Sequence, residues 1–158
     1  MTIGLFGTCG GSTWRNEFVE LYDATGIEYY NPQVLNWKLE DAKIEAEHLA
    51  NDDVILFPIL AETEGLGSLA EVGFSIIQII KSGGTKNIIV MIDDDCTVKD
   101  VAVREASIRM RALVKAHLKK LNYPNVYLVD YLIDMYKLSL ELHAIETLRA
   151  GLDQYRAK

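Results

Sequence analysis

Residues 53–60 read Asp53-Val54-Ile55-Leu56-Phe57-Pro58-Ile59-Leu60. The run is almost wholly apolar and does not alternate. A strand with one face in water alternates polar and apolar residues; a short continuous apolar run is what a strand covered on both faces requires, as in a parallel sheet. The flanking segments carry the covering helices. Upstream, 38–51 is polar with Leu39, Ala42, Ala46 and Leu49 at helical spacing. Downstream, 68–81 puts Leu69, Val72, Gly73, Ile76, Ile77 and Ile80 on one face and ends at Gly83-Gly84.

The alternation continues in both directions. Residues 3–6 form a short apolar strand followed by Gly7. Residues 12–25 carry Trp14, Phe18, Leu21 and Tyr22 at helical spacing and stop at Gly26. Residues 27–30 are a second strand, closed by Asn31-Pro32. After the Gly83-Gly84 stop come a strand over 87–92, a long helix over 97–121 with a break near Ser107, a strand over 126–129 and a final helix over 131–155. Five strands alternating with five helices predict a parallel sheet with helices on both faces. Right-handed crossovers favour the strand order 2-1-3-4-5. No linker, repeat or low-complexity stretch interrupts residues 1–158, so one α/β domain is expected.

Composition bounds the partners. The chain carries 23 acidic against 16 basic side chains, a net charge of −7 and a pI near 4.9. That balance argues against a nucleic acid polymer or an anionic membrane as the main partner, since both select for basic surface. No apolar run reaches the roughly 18 residues of a membrane span. The N-terminal stretch reads as strand and turn rather than signal peptide. Cys9 and Cys96 alone build neither a disulfide framework nor a zinc site, which makes a reducing cytoplasm the default location. No metal and no cofactor are expected.

In a doubly wound sheet, ligands sit outside the carboxyl ends of the strands at the switch in strand order. The loop after the first strand, Gly7-Thr8-Cys9-Gly10-Gly11-Ser12, has glycines that admit close backbone approach and lies at a helix start, where N–H groups attract anions. It lacks the Lys-Ser/Thr of a Walker loop and the G-x-G-x-x-G spacing of a dinucleotide site. A tight turn capped by Ser12 explains it without a ligand, but its place at the expected crevice favours ligand contact. The loop after the third strand reads Glu62, Glu64, Gly65, Gly67, Ser68, Glu71, Gly73. Ser68-Leu69-Ala70-Glu71 fits a capping box, which needs no chemistry. The same geometry also places the Glu71 carboxylate in the first helical turn, where the dipole favours its ionised form. Facing the crevice, it is a candidate nucleophile toward a sugar carbon.

Gly67, Ser68, Glu71 and Gly73 in this order resemble the motif of the nucleoside 2-deoxyribosyltransferase family and its related nucleotide N-glycoside hydrolases. Phe6-Gly7 after the first strand, residues 50–57 leading into the third, and Ile92-Asp93-Asp94 after the fourth fit the same pattern. The likeness covers about residues 1–95. It implies a flavodoxin-like domain and a transferase or hydrolase that cleaves or exchanges the N-glycosidic bond of a nucleoside or its 5′-monophosphate. Glu71 would be the nucleophile. Glu45, on the second helix, would meet the base, and Gln33, after the second strand, would hold it. The resemblance further implies a homo-oligomer and no cofactor. Two positions depart from the family: Gly65 stands where it carries Asp, with Glu64 adjacent, and Glu45 is one methylene longer than the family's acid.

The leaving base needs a proton, for which Glu45, Glu64 and Glu62 are candidates. A 5′-phosphate would suit the N–H groups of residues 7–12, with Arg15 as counter-charge. Asp93-Asp94-Asp95 reads as solvated loop, and His48, His117 and His143 as surface or packing residues. The final helix, ~38 Å long at 1.5 Å per residue, exceeds what a five-strand sheet covers, and an apolar end would mark a subunit interface. The rival reading of the whole chain is a non-catalytic module that binds a nucleotide in the same crevice.

Overall fold

The computed structural model describes residues 1–83 and 86–156. Ten elements follow in strict alternation: β1 (Ile3–Leu5), α1 (Trp14–Thr25), β2 (Tyr29–Tyr30), α2 (Leu39–Asn51), β3 (Val54–Ile59), α3 (Leu66–Ser82), β4 (Asn87–Ile92), α4 (Val101–Leu121), β5 (Val126–Val129) and α5 (Leu132–Asp153). All strands are parallel and lie in the order β2-β1-β3-β4-β5, the flavodoxin-like topology expected from the sequence.

Every residue of β3 and β4 is buried. Side chains alternate across the sheet, so each strand feeds two cores. On one face Leu56, Ile89 and Met91 pack with Trp14, Phe18 and Tyr22 of α1 and Met135 and Leu142 of α5. On the other, Ile55, Phe57, Ile88 and Val90 pack with Leu69, Val72 and Ile79 of α3 and Leu118 of α4. Each fully buried aliphatic or aromatic side chain contributes about 1.5–3 kcal/mol by leaving water. Among the described residues, no helix is long and apolar enough to cross a membrane.

Several boundaries differ from the sequence expectation. β2 is only two residues, because its partner β1 offers only Ile3 and Gly4 to pair with Tyr29 and Tyr30. α4 starts at Val101, capped by the Asp100 side chain, and runs unbroken past Ser107. The Ser107 hydroxyl leaves the helix altogether and donates to the Glu64 carbonyl, so it does not compete with the helical ladder. Gly83 ends α3 in the left-handed conformation; Gly84 lies outside the described residues. Leu148, Leu152 and Tyr155, at the end of the last helix and just beyond it, are exposed.

Pro58 shapes the edge where a ligand would sit. It has no N–H to give, yet it stands inside a central strand. The β1 ladder against β3 stops at Leu5–Leu56, two residues short of it. Gly7 follows there with φ +91°, and a Cβ on it would lie 2.6 Å from the Pro58 carbonyl oxygen. The loop after β1 therefore packs directly against the end of β3.

Candidate functional site

An open crevice of about 530 Å³ lies at the carboxyl ends of β1 and β3. Gly7, Thr8, Cys9 and Gly10 form one wall. Residues 62–68 and Glu71 form the other, and Val98 closes one side. This is the switch point of the strand order, where topology predicts a ligand.

Thr8 is spent on holding the first wall. Its N–H donates to the Pro58 carbonyl, its hydroxyl oxygen accepts from the Leu60 N–H, and its carbonyl accepts from Trp14 Nε1 and Arg15. Arg15 is fully buried. Its guanidinium donates to the carbonyls of Leu5 (2.8 Å), Thr8 (2.6 Å) and Gly7 (3.2 Å) and to Cys9 Sγ. The expectation that Arg15 faces a phosphate is therefore corrected: its donors are committed to the main chain. Gly10 and Gly11 are exposed with positive φ, and their N–H groups carry no hydrogen bond among the described residues. Gly11 and Ser12 do not line the crevice. Ser12 is no helix cap either; Thr13 holds that position without a side-chain bond, and Ser12 Oγ donates instead to Glu62 Oε1 at 2.5 Å, joining the two walls.

A second buried arginine, Arg111 of α4, holds the opposite wall. Its guanidinium donates to the carbonyls of Ile59, Leu60, Thr63 and Asp93, and Nε donates to Ser107 Oγ, which itself holds Glu64. One side chain thus ties the ends of β3 and β4 to the loop between β3 and α3. Burial pulls both guanidinium groups down from the ordinary arginine value. Among the described residues neither arginine has an ion pair with a carboxylate, so both bring desolvated positive charge beneath the crevice floor. The role of Arg111 is absent from the sequence reading. The available signal was a basic residue on the same helical stripe as Ser107 and Leu118, the buried side of α4.

Gly65 is fixed by its backbone and its neighbours. It caps α3 at φ +66°, and a Cβ would lie 2.6 Å from Ile59 Cγ2 and 3.3 Å from Arg111 Nη2. Any side chain there meets both strain and a clash. Gly65→Ala is expected to cost about 1–3 kcal/mol, read as a lower urea midpoint with unchanged slope; an unchanged midpoint would show the loop to be pliable.

The helix starts earlier than the sequence suggests. With Gly65 as cap, Ser68 is the third residue of α3, and no side-chain cap bond forms. The capping-box expectation is thereby corrected. Ser68 is buried, its hydroxyl makes no hydrogen bond among the described residues, and it lines the crevice beside Gly67. Glu71 moves into the second turn, where the dipole is weak. Its environment is set by other groups. Burial pushes its carboxyl above the ordinary value, the Glu45 carboxylate adds to that push, and the Arg15 guanidinium opposes it.

Glu71 lines both the crevice and a small adjoining hollow formed with Phe6, Gly7, Cys9, Arg15, Pro32 and Glu45. The structure thus brings Glu71 and Glu45 together over Arg15, two helices meeting across the end of β1. Glu64 stands exposed on the crevice wall. Gln33 is exposed and lines neither space; its N–H donates to Asn31 Oδ1. The remaining motif residues are engaged locally. Asp93 accepts from the Ala61 N–H, Asp94 from Lys115, and Asp95 from the Cys96 N–H. His48 stacks flat on Tyr30 and pairs with Asp52. No protein-family model, curated protein or solved structure matches this chain.

Proposed function

We propose that the crevice cleaves or exchanges the N-glycosidic bond of a nucleoside or nucleoside 5′-monophosphate through a glycosyl-enzyme intermediate on Glu71. One observation carries the reading: Glu71 opens onto the crevice at the strand switch while its carboxylate shares a hollow with Glu45. A glycosidic site needs two carboxyl groups in different roles. A Glu71 oxygen attacks C1′ of the sugar as the C1′–N bond breaks. The bond's electron pair goes to the base nitrogen, which takes a proton from water. The ester on Glu71 is then opened at C1′ by water or by the nitrogen of a second base. The incoming group's proton is released to water, and the Glu71 carboxylate is free again. Desolvation leaves the attacking oxygen less well hydrated, and Arg15 steadies its charge.

The assay incubates the protein with nucleosides and their 5′-monophosphates, with and without an acceptor base, and separates products by chromatography. Free base without acceptor marks a hydrolase; free base only with acceptor marks a transferase. Binding without turnover supports the alternative, a non-catalytic nucleotide-binding module. That reading draws on Gly65, which denies the site the acidic side chain that the resembled family carries there.

The pH profile follows from Glu71. Attack needs the carboxylate, so kcat/KM falls as pH drops through a pKa above the ordinary glutamate value near 4.3. Glu45→Gln removes a neighbouring negative charge and is expected to move this acid limb to lower pH. An unmoved limb would place the titrating group elsewhere.

A further inference from the structure

The side chains that line the crevice carry one sign of charge. Glu62, Glu64 and Glu71 line it, and Glu45 lines the adjoining hollow. Among the described residues no Lys or His lines either space. Arg15 borders the hollow, but its donors go to main-chain carbonyls and to Cys9. Lys99 and Arg104, the first basic residues after Val98, line neither space. The two buried guanidinium groups do not reverse the sign. Arg15 stands in the field of Glu71 and Glu45, and Arg111 in that of Asp93, Glu62 and Asp95. A cleft walled by one sign focuses its field and concentrates the opposite charge.

Two hydroxyls point to a polar ligand at the same place. Ser68 is 9% exposed, its Oγ makes no hydrogen bond among the described residues, and it lines the crevice. Thr63 also lines it, and its Oγ1 is buried without a partner among the described residues. Buried polar groups are normally paired, and both of these can give and accept hydrogen bonds with the hydroxyls of a sugar. The walls offer a departing base little help with a proton. Glu62 Oε1 accepts from Ser12 at 2.5 Å, the Thr8 hydroxyl accepts from the Leu60 N–H, and Glu45 bears on Glu71 as a negative charge. A neutral purine or pyrimidine leaves as an anion unless it is protonated. A base that is already a cation leaves as a neutral molecule.

With Glu71 as the nucleophile proposed above, we infer that the substrate is a nucleoside whose base carries a fixed positive charge, of the N-glycosylpyridinium or N7-alkylpurine class. A Glu71 oxygen bonds to C1′ as the C1′–N bond breaks. The electron pair of that bond neutralises the ring nitrogen, so the base departs uncharged and no proton is transferred. Water then opens the ester at C1′ and loses one proton to solvent, which frees the sugar and the Glu71 carboxylate. The acidic walls attract the cation on entry. As the bond breaks, the positive charge passes to the sugar ring within the same field.

The test compares two cations, 1-ribosylnicotinamide and N7-methylinosine, with neutral inosine, each as riboside and 2′-deoxyriboside and with and without a 5′-phosphate. Base release by the full chain is followed at low salt. In the sugar form that is turned over, kcat/KM is expected to be about 10²-fold higher for the cations. Replacing two exposed wall residues together, Glu62→Gln and Glu64→Gln, is expected to shrink that ratio about tenfold, and added salt to shrink it as well. A ratio set only by the leaving ability of the base would not move in the double variant. Equal or faster release from inosine, or a ratio that the double variant leaves unchanged, overturns the cationic class while Glu71 stands as nucleophile. No release from any of these nucleosides overturns both.

Discussion

Arg111→Ala is expected to lower the stability of the fold by about 3–5 kcal/mol, a large share of the 5–15 kcal/mol of an ordinary domain. The guanidinium is 0% exposed and satisfies four main-chain carbonyls and the Ser107 hydroxyl. Removing it takes the donor from the Asp93 carbonyl and one of two donors from the carbonyls of Ile59, Leu60 and Thr63, which keep the Asp93 N–H, the Thr63 N–H and the Cys96 thiol, and each buried group left unsatisfied costs about 1–3 kcal/mol. Part of the loss is recovered if water enters the space, which is why the sum is not the full product. Arg111→Lys is expected to rescue little, because an ammonium cannot span carbonyls from two strand ends and a loop. Urea unfolding measures both variants. A loss below about 1 kcal/mol for Arg111→Ala would mean that the loop carbonyls find other donors, and that the crevice wall does not depend on α4.

Glu71→Gln is expected to lower base release by about 10³-fold or more, because an amide cannot form the ester intermediate. The same change is expected to leave the melting temperature equal to or above wild type. Glu71 has a raised pKa in the folded state, led by burial. A raised group stabilises the fold fully below its unfolded pKa, and that contribution is lost as pH rises through the folded value. At neutral pH the charge therefore opposes folding, and glutamine removes it. The two readouts moving in opposite directions distinguish a functional carboxylate from a structural one. A variant that retains turnover, or one that loses activity by unfolding, would contradict the assignment.

The order of strands and the place of the crevice were legible in the sequence because both follow from long-range patterning. The unbroken apolar run at 53–60 requires helices on both faces, and alternation with right-handed crossovers leaves few topologies. Side-chain roles within loops were not legible in the same way. Ser68-Leu69-Ala70-Glu71 matches a cap motif, but Gly65 in the left-handed region starts the helix earlier, so Ser68 becomes an interior residue with a free hydroxyl. Ser12 and Arg15 read as ligand contacts on local grounds. Their actual partners, Glu62 for Ser12 and the Leu5 to Cys9 segment for Arg15, depend on how the loop after β1 packs against the end of β3 at Pro58. Arg111 is 52 residues from Ile59 in sequence, and no local pattern marks a contact made across two elements. The resemblance puts Glu45 and Gln33 against the base; Glu45 shares a hollow with Glu71, while Gln33 lines neither space.

The most direct test of the glycosyl mechanism is mass spectrometry of the acid-quenched protein during turnover of a nucleoside or nucleoside 5′-monophosphate that releases base. The mechanism requires a covalent adduct equal to the substrate's glycosyl group on the peptide containing Glu71, absent in Glu71→Gln. Base release without any adduct, or with the sugar attached to another side chain, would contradict it.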